Sequence, residues 1–257
     1  MTVETHLHRA RERAESERAS VAAKRDALDS FAARLRECSP SGPTPDQLAQ
    51  PVGGGVSTSA GGHAPDGREQ VRSAFAETVG EHTDGDAVLS GIQTELGKEA
   101  ALALAPTTSA TFTPQLQSQL LSQTTARKRE LGAMLGALDA ERESLQTHLD
   151  TVDTVVAWLV DADETPLTDV GFDALRDRHE RLSQFRADIE TATQTRQTRL
   201  DATTSHGGQV GIAHRSLVAS LYEDFPVDYP VLATATRLLD VCSDAQQAVR
   251  AHLVSRA

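Results

Sequence analysis

The chain has 257 residues, of which 39% are apolar and only 4% aromatic, so its core must be assembled from Leu, Val and Ala. That composition favours helices meeting along narrow stripes over a β-sandwich, which needs more β-branched and aromatic residues. Acidic residues outnumber basic ones 37 to 25, giving a net charge of −12, and only Lys24, Lys98 and Lys128 are lysines. Such a surface suits solubility in concentrated salt and argues against a basic footprint for nucleic acid.

Two isolated cysteines, Cys38 and Cys242, make neither a disulfide framework nor a zinc site and are expected to be small buried apolar groups. The start of the chain lacks the apolar stretch of a signal peptide. The longest apolar run, Val155 to Val160, is too short to span a bilayer. A cytoplasmic protein without a membrane partner is expected.

Residues 1–38 read as an amphipathic helix, with Leu7, Ala14, Val21, Leu28 and Leu35 recurring every seven residues. The companion line, three residues on, is apolar at only some positions. Residues 39–67 break the pattern with prolines and glycine runs, so a flexible linker is expected to tether the first helix to a helical domain over 68–257. Arg68 to Val79 is expected to form a helix presenting Val71, Phe75 and Val79. A further helix, capped by Asp84 or Asp86, should run to Leu104, weakened at Gly91 and Gly97.

Thr113-Pro114 is a capping residue followed by proline at the first helical position. From there Leu131, Leu135, Leu138, Arg142, Leu145, Leu149, Val152, Val156 and Leu159 alternate in steps of four and three. This predicts a coiled-coil seam on a helix of about 70 Å. Pro166 marks a turn, and a second helix starting near Thr168 carries Leu175, Arg178, Leu182, Phe185, Ile189, Ala192 and Arg196 at the same spacing. The two make an antiparallel helical hairpin over 113–205, fraying near Ser205. A turn centred on Pro166 sets Leu149 opposite Leu182, Arg142 near Ile189 and His179 near Val152. Helices over 211–225 and 228–254 complete an all-α chain, with Leu217, Val218, Leu221 and Tyr222 on the apolar face of the first. No strand is expected.

Several segments resemble an uncharacterised haloarchaeal family known only as a domain of unknown function. They are REQVRSAFAETV from Arg68, GKEAALAL from Gly97, FTPQLQSQLL from Phe112, ALDAERESL from Ala137 and DYPVLATATRLL from Asp228. The resemblance covers residues 68–257 and implies a helical architecture and a haloarchaeal source. It brings no activity, substrate or functional residue.

No segment carries catalytic or cofactor chemistry that outweighs a structural role. His6 and His8 are two apart on a helix and diverge. His206, His214 and His252 lack Cys or carboxylate at zinc spacing. Glu141 with Glu143, and Asp161 with Asp163 and Glu164, look like carboxylate pairs, but no Glu-x-x-His accompanies them. Gly53-Gly54-Gly55 is followed by no Lys-Ser/Thr and so is no phosphate loop. Catalytic residues, metal ligands and cofactors are therefore expected to be none.

The residues singled out are Arg142, Arg178 and Arg196, where arginine occupies seam positions that Leu would stabilise more. A polar seam residue fixes register or partner choice, with Asp153 a candidate partner for Arg178. The expected function is that of a non-enzymatic interaction or scaffold protein working through coiled-coil-type contacts with a protein partner or a second copy. The alternative is a transcription-associated regulator touching DNA weakly through Arg9, Arg11, Arg13 and Arg18 or the last two helices, although the interspersed acids cancel much of that basic charge and argue against nucleic acid as a ligand.

Overall fold

The computed structural model describes residues 6–40, 66–80, 85–108, 111–206 and 209–255, with the side chains of 203–212 excepted. It is all-α, with one small β-hairpin. The elements are α1 (His6–Glu37), α2 (Gly67–Thr78), α3 (Gly85–Leu96), α4 (Lys98–Leu104), α5 (Pro114–Asp163), α6 (Phe172–Asp201), β1 (Thr203–His206), β2 (Gln209–Ala213), α7 (His214–Leu221) and α8 (Pro230–Val254). No described helix is long and apolar enough to cross a membrane. Most of the expected linker, residues 41–65 with its glycine run, lies outside the described residues.

Close contacts divide the chain into two units, residues 1–20 with 133–257 and residues 21–132. The expected division, a tethered helix ahead of a domain over 68–257, differs from this. The heptad line of α1 is the reason. Leu7, Ala10 and Ala14 are buried in the first unit, whereas Val21, Leu28, Phe31, Leu35 and Cys38 are buried in the second. A stripe that cannot satisfy itself alone is covered by the chain's own helices.

In the second unit, α2 is capped by Asp66, whose carboxylate accepts from the Arg68 amide. Phe31 of α1 meets Phe75 of α2 edge to face, with ring centroids 5.3 Å apart. The expected single helix up to Leu104 is two, because Gly97 breaks it at φ 96°, ψ 162°, a region open almost only to glycine. Gly97→Ala should therefore lower stability by about 1–3 kcal/mol; urea unfolding followed by helical circular dichroism checks this, and an unchanged midpoint would contradict it. Thr113 begins α5 as anticipated, its Oγ1 accepting from the Leu116 amide at 3.2 Å. Glu95 is buried between Lys24, at 2.8 Å, and Arg127, at 2.9 Å. Burial alone would raise its pKa, but hydrogen bonds and charge from these two cations hold it below the ordinary value.

In the first unit, α5 and α6 do form a hairpin, but other helices cover it. Leu7 of α1, Val152 of α5, Ile189 of α6 and Val231 and Leu238 of α8 line one void with room for a single water. Four helices thus meet there, and α6 packs extensively along α8. The face that α5 buries includes Ala137, Leu138, Glu141, Ser144, Leu145, His148, Leu149, Val152 and Val155. It is wider than a two-helix seam because more than one helix packs on it.

The hairpin register also differs from expectation. Glu141 faces Arg196, and His148 faces the carbonyl of Ala192, so α6 is displaced by about two turns from the pairing anticipated. The connection runs from 164 to 171 and folds back on α6, with Arg178 Nη1 donating to the Thr165 carbonyl at 3.3 Å. After α6, the chain does not fray into a helix from residue 211. β1 and β2 pair antiparallel, Thr203 opposite Ala213 and Thr204 opposite Ile212. The His214 amide then bonds the Ala202 carbonyl at 3.1 Å and α7 begins.

Candidate functional site

The first unit holds a cluster of ionised and polar side chains sealed from solvent. Glu141 and Ser144 come from α5, one turn apart on its inner face; Arg196 comes from α6. His214 is the first residue of α7, placed there by the β-hairpin, and Tyr222 follows the last turn of α7. All five are buried, and the Glu141 and Arg196 side chains are 0% and 1% exposed.

The Arg196 guanidinium grips the Glu141 carboxylate with two parallel bonds, Nη1 to Oε2 at 2.6 Å and Nη2 to Oε1 at 2.9 Å. This bidentate fork is the strong form of the ion pair. The Tyr222 hydroxyl donates to Oε1 at 2.8 Å and His214 Nε2 donates to Oε2 at 2.7 Å. Arg196 Nη1 also reaches Ser144 Oγ at 3.2 Å. Each carboxylate oxygen therefore accepts two bonds, which uses its full capacity.

Electrostatics follow from this geometry. Burial works against the Glu141 anion, yet His214, Arg196 and Tyr222 together bring its pKa down from 4.5 to about 2. Burial, and then the Glu141 charge, push the Tyr222 hydroxyl far above its ordinary value and keep it a donor. Because every lone pair of the carboxylate is taken and no face is open, the arrangement ties three elements together: α5, α6 and α7. As it stands it offers no position to a substrate or metal. Among the described residues, no group of three His, Cys, Asp or Glu side chains could hold a metal ion.

The three arginines singled out in the sequence have different surroundings. Arg196 is the buried partner just described. Arg142, one residue from Glu141, is half-buried and points away from the cluster, 3.4 Å from Asp139 and 3.9 Å from Glu15. Its Nε is buried without a partner. Such half-exposed pairs contribute about 0–1 kcal/mol, so Arg142→Leu should raise the unfolding midpoint slightly; a marked loss in a urea titration would contradict this. Arg178 is half-buried and bonds the Thr165 carbonyl, whereas Asp153 is exposed.

Other residues weighed from the sequence have ordinary places. Glu143 is exposed and so no partner to Glu141. Asp161, Asp163 and Glu164 are exposed at the turn. His6 accepts a bond from Arg9 at 2.8 Å. Cys38 and Cys242 are free and buried. His148 is buried, its Nδ1 2.6 Å from the Ser144 carbonyl and its Nε2 3.2 Å from that of Ala192. His179 is half-buried, and its carbonyl accepts from Gln246 of α8 at 3.4 Å.

From the sequence Glu141 and His214 were weighed and set aside, Tyr222 was placed on an apolar face, and Gln246 was not singled out. Gln246 is buried, taking a bond from Arg186 at 3.0 Å and donating to Ser183 Oγ, which joins α8 to α6. The available signal was Arg196 itself, since a seam arginine on an inward face calls for a buried acid opposite.

No curated protein and no solved structure matches the chain. A family model matches residues 5–246 and so takes in α1, beginning well before Arg68, where the resembling motifs start. The chain belongs to the family described as a domain of unknown function (DUF7260).

Proposed function

We propose that this protein is a non-enzymatic helical interaction or scaffold protein, working through coiled-coil-type contacts with another protein or a second copy. One observation carries the reading: the buried charges among the described residues, Glu95, Glu141 and Arg196, are all neutralised by the chain's own side chains. Chemistry-bearing groups hold helices together here, and the outer helix faces are what remains for other molecules. A cytoplasmic, haloarchaeal setting belongs to the same proposal and is supported by the acid-rich, lysine-poor composition.

The DNA-binding alternative has less support. Arg18 pairs with Asp139, and Arg13 donates to the Leu221 carbonyl, so two of its arginines are engaged within the first unit. The test is affinity purification of the full chain from its native cells, with light scattering of the purified protein across a concentration series. A stoichiometric protein partner, or a mass that grows with concentration, is expected. A monomer that brings down no protein but retains genomic DNA fragments in the same buffer would overturn the reading.

A further inference from the structure

The first half of α1 is held far less firmly than the second. In the first unit α1 runs antiparallel along α5: Leu7 and Val152 meet at the void, Glu15 is 3.9 Å from Arg142, and Arg18 pairs with Asp139. Leu145 and Leu149 stand between these points on α5 at steps of three and four, 0% and 2% exposed. The line read from the sequence as a hairpin seam, through Leu138, Arg142, Leu145, Leu149 and Val152, is therefore the line that residues 6–20 cover.

Those residues bring little to hold themselves there. Leu7, Ala10 and Ala14 are the buried side chains among 6–20, and an alanine removes little apolar area from water. The polar ties are weak as well. Both Glu15 contacts, with Arg11 at 3.8 Å and with Arg142, are too long for hydrogen bonds. The Arg18–Asp139 pair is half exposed, and Arg13 reaches the Leu221 carbonyl only at 3.4 Å. The Nε groups of Arg11 and Arg142 are buried without a partner among the described residues, and water would supply one.

Residues 21–38 differ in each respect. They bury Val21, Leu28, Phe31, Leu35 and Cys38 in the second unit, where Phe31 meets Phe75 edge to face. Lys24 pairs with the buried Glu95 at 2.8 Å. Gln117 Nε2 donates to the carbonyls of Leu35 and Cys38 at 2.8 and 2.9 Å. One continuous helix thus has a firm half and a loose half, and the loose half lies over leucines.

We propose that residues 6–20 are a displaceable strap, closing a groove of the first unit that takes an amphipathic helix of another protein. Leu145, Leu149 and Val152 floor the groove, with Ile189, Val231 and Leu238 at the void end. Its charges state what the incoming helix carries: an acid over Arg142 and, three residues on, a base over Asp139, as Glu15 and Arg18 supply now. The α1 of a second copy competes poorly. The chain's own strap continues an anchored helix and meets the groove at an effective concentration of about millimolar or more. A foreign helix displaces it by presenting larger apolar side chains than Ala10 and Ala14.

This inference rests on the interaction-protein reading, to which it assigns a surface. The first measurement is amide hydrogen exchange of the full chain. Residues 10–20 should share one opening, at least about tenfold more frequent than that of residues 25–38, with a step near Ser20. Simple fraying would instead fall off within the first turn or two. Leu7→Ser should speed exchange of 10–20 by at least about another tenfold and leave 25–38 unchanged. The second measurement is binding of a labelled peptide copying residues 6–20, held helical by a staple across the exposed positions 12 and 16. It should bind Leu7→Ser more tightly than wild type by the same factor as exchange rises, because affinity scales with the fraction of open groove. Helical circular dichroism and Trp158 emission check that the variant is folded. Arg18→Gln, at a half-exposed position, should give both changes at about threefold and serves if Leu7→Ser does not fold. Protection that is uniform beyond the first turns of α1, or a peptide affinity indifferent to strap opening, would overturn the proposal. A wild-type dimer in light scattering that Leu7→Ser abolishes would give the groove to a second copy and overturn the foreign helix. A protein that copurifies equally with wild type and Leu7→Ser would sink this groove while leaving the interaction-protein reading in place.

Discussion

Glu141→Ala is expected to destabilise the first unit by about 3–5 kcal/mol, because it strands a buried guanidinium. Arg196, 1% exposed, would keep only its bond to Ser144, and Tyr222 and His214 would lose their acceptor. Arg196→Met should cost less, since Glu141 would retain two of its four bonds. Combining Glu141→Leu with Arg196→Met removes both charges and should cost less than the two single changes added together, by at least about 1 kcal/mol. Part of the loss would remain, because His214 and Tyr222 stay buried without their acceptor. Trp158 is the only tryptophan in the chain, belongs to this unit and packs edge-on against Phe185 at 5.4 Å. Its emission during urea unfolding therefore reads this unit directly. Simple additivity of the two substitutions would mean that the pair is not coupled as the geometry requires.

Local signals in the sequence were legible because they act over one or two turns. Thr113-Pro114 starts α5 and Pro230 starts α8, whereas Gly97, expected only to weaken one helix up to Leu104, divides it into two. The apolar periodicity also located the two long helices of the hairpin. What it could not supply was phase within a wide face. A seam for one partner is narrow, so the four-three spacing selected Arg142; with α1, α6 and α8 all contributing, α5 buries more of its surface and the residue inside is Glu141. One residue is about 100° of rotation, enough to exchange a buried anion for a half-exposed cation.

Longer-range features left weaker traces. His214 and Tyr222 lie 73 and 81 residues from Glu141, and nothing in local pattern joins them. The β-hairpin did leave a signal: Gly207-Gly208 separates Thr203–His206 from Gln209–Ala213, a two-residue glycine connection of the kind that favours strand pairing. Its effect reaches the cluster, since the hairpin replaces the first turn of the anticipated helix and fixes where α7 begins, at His214. The helical reading of this segment and the failure to find a partner for His214 have one cause.

The first unit should lose stability in acid over a window set by Glu141. Folding lowers the pKa of this carboxyl from 4.5 to about 2, so its contribution is complete above the unfolded-state value and vanishes as pH falls toward the folded one. The difference corresponds to roughly 3 kcal/mol at neutral pH, lost between about pH 5 and pH 2. Asp139 shifts in the same direction through its hydrogen bond and charge contact with Arg18, but it is half exposed and solvent screens that pair. Glu141 should therefore dominate the acid limb. In Glu141→Gln the unit starts out less stable, and its urea midpoint, followed through Trp158, should vary much less between pH 5 and pH 2.5. Asp139→Asn should leave the wild-type slope nearly intact. Parallel pH curves for wild type and Glu141→Gln would show that the buried carboxylate is not held ionised by Arg196, His214 and Tyr222. A slope that survives in Glu141→Gln but disappears in Asp139→Asn would move the effect to the surface pair, against the burial argument.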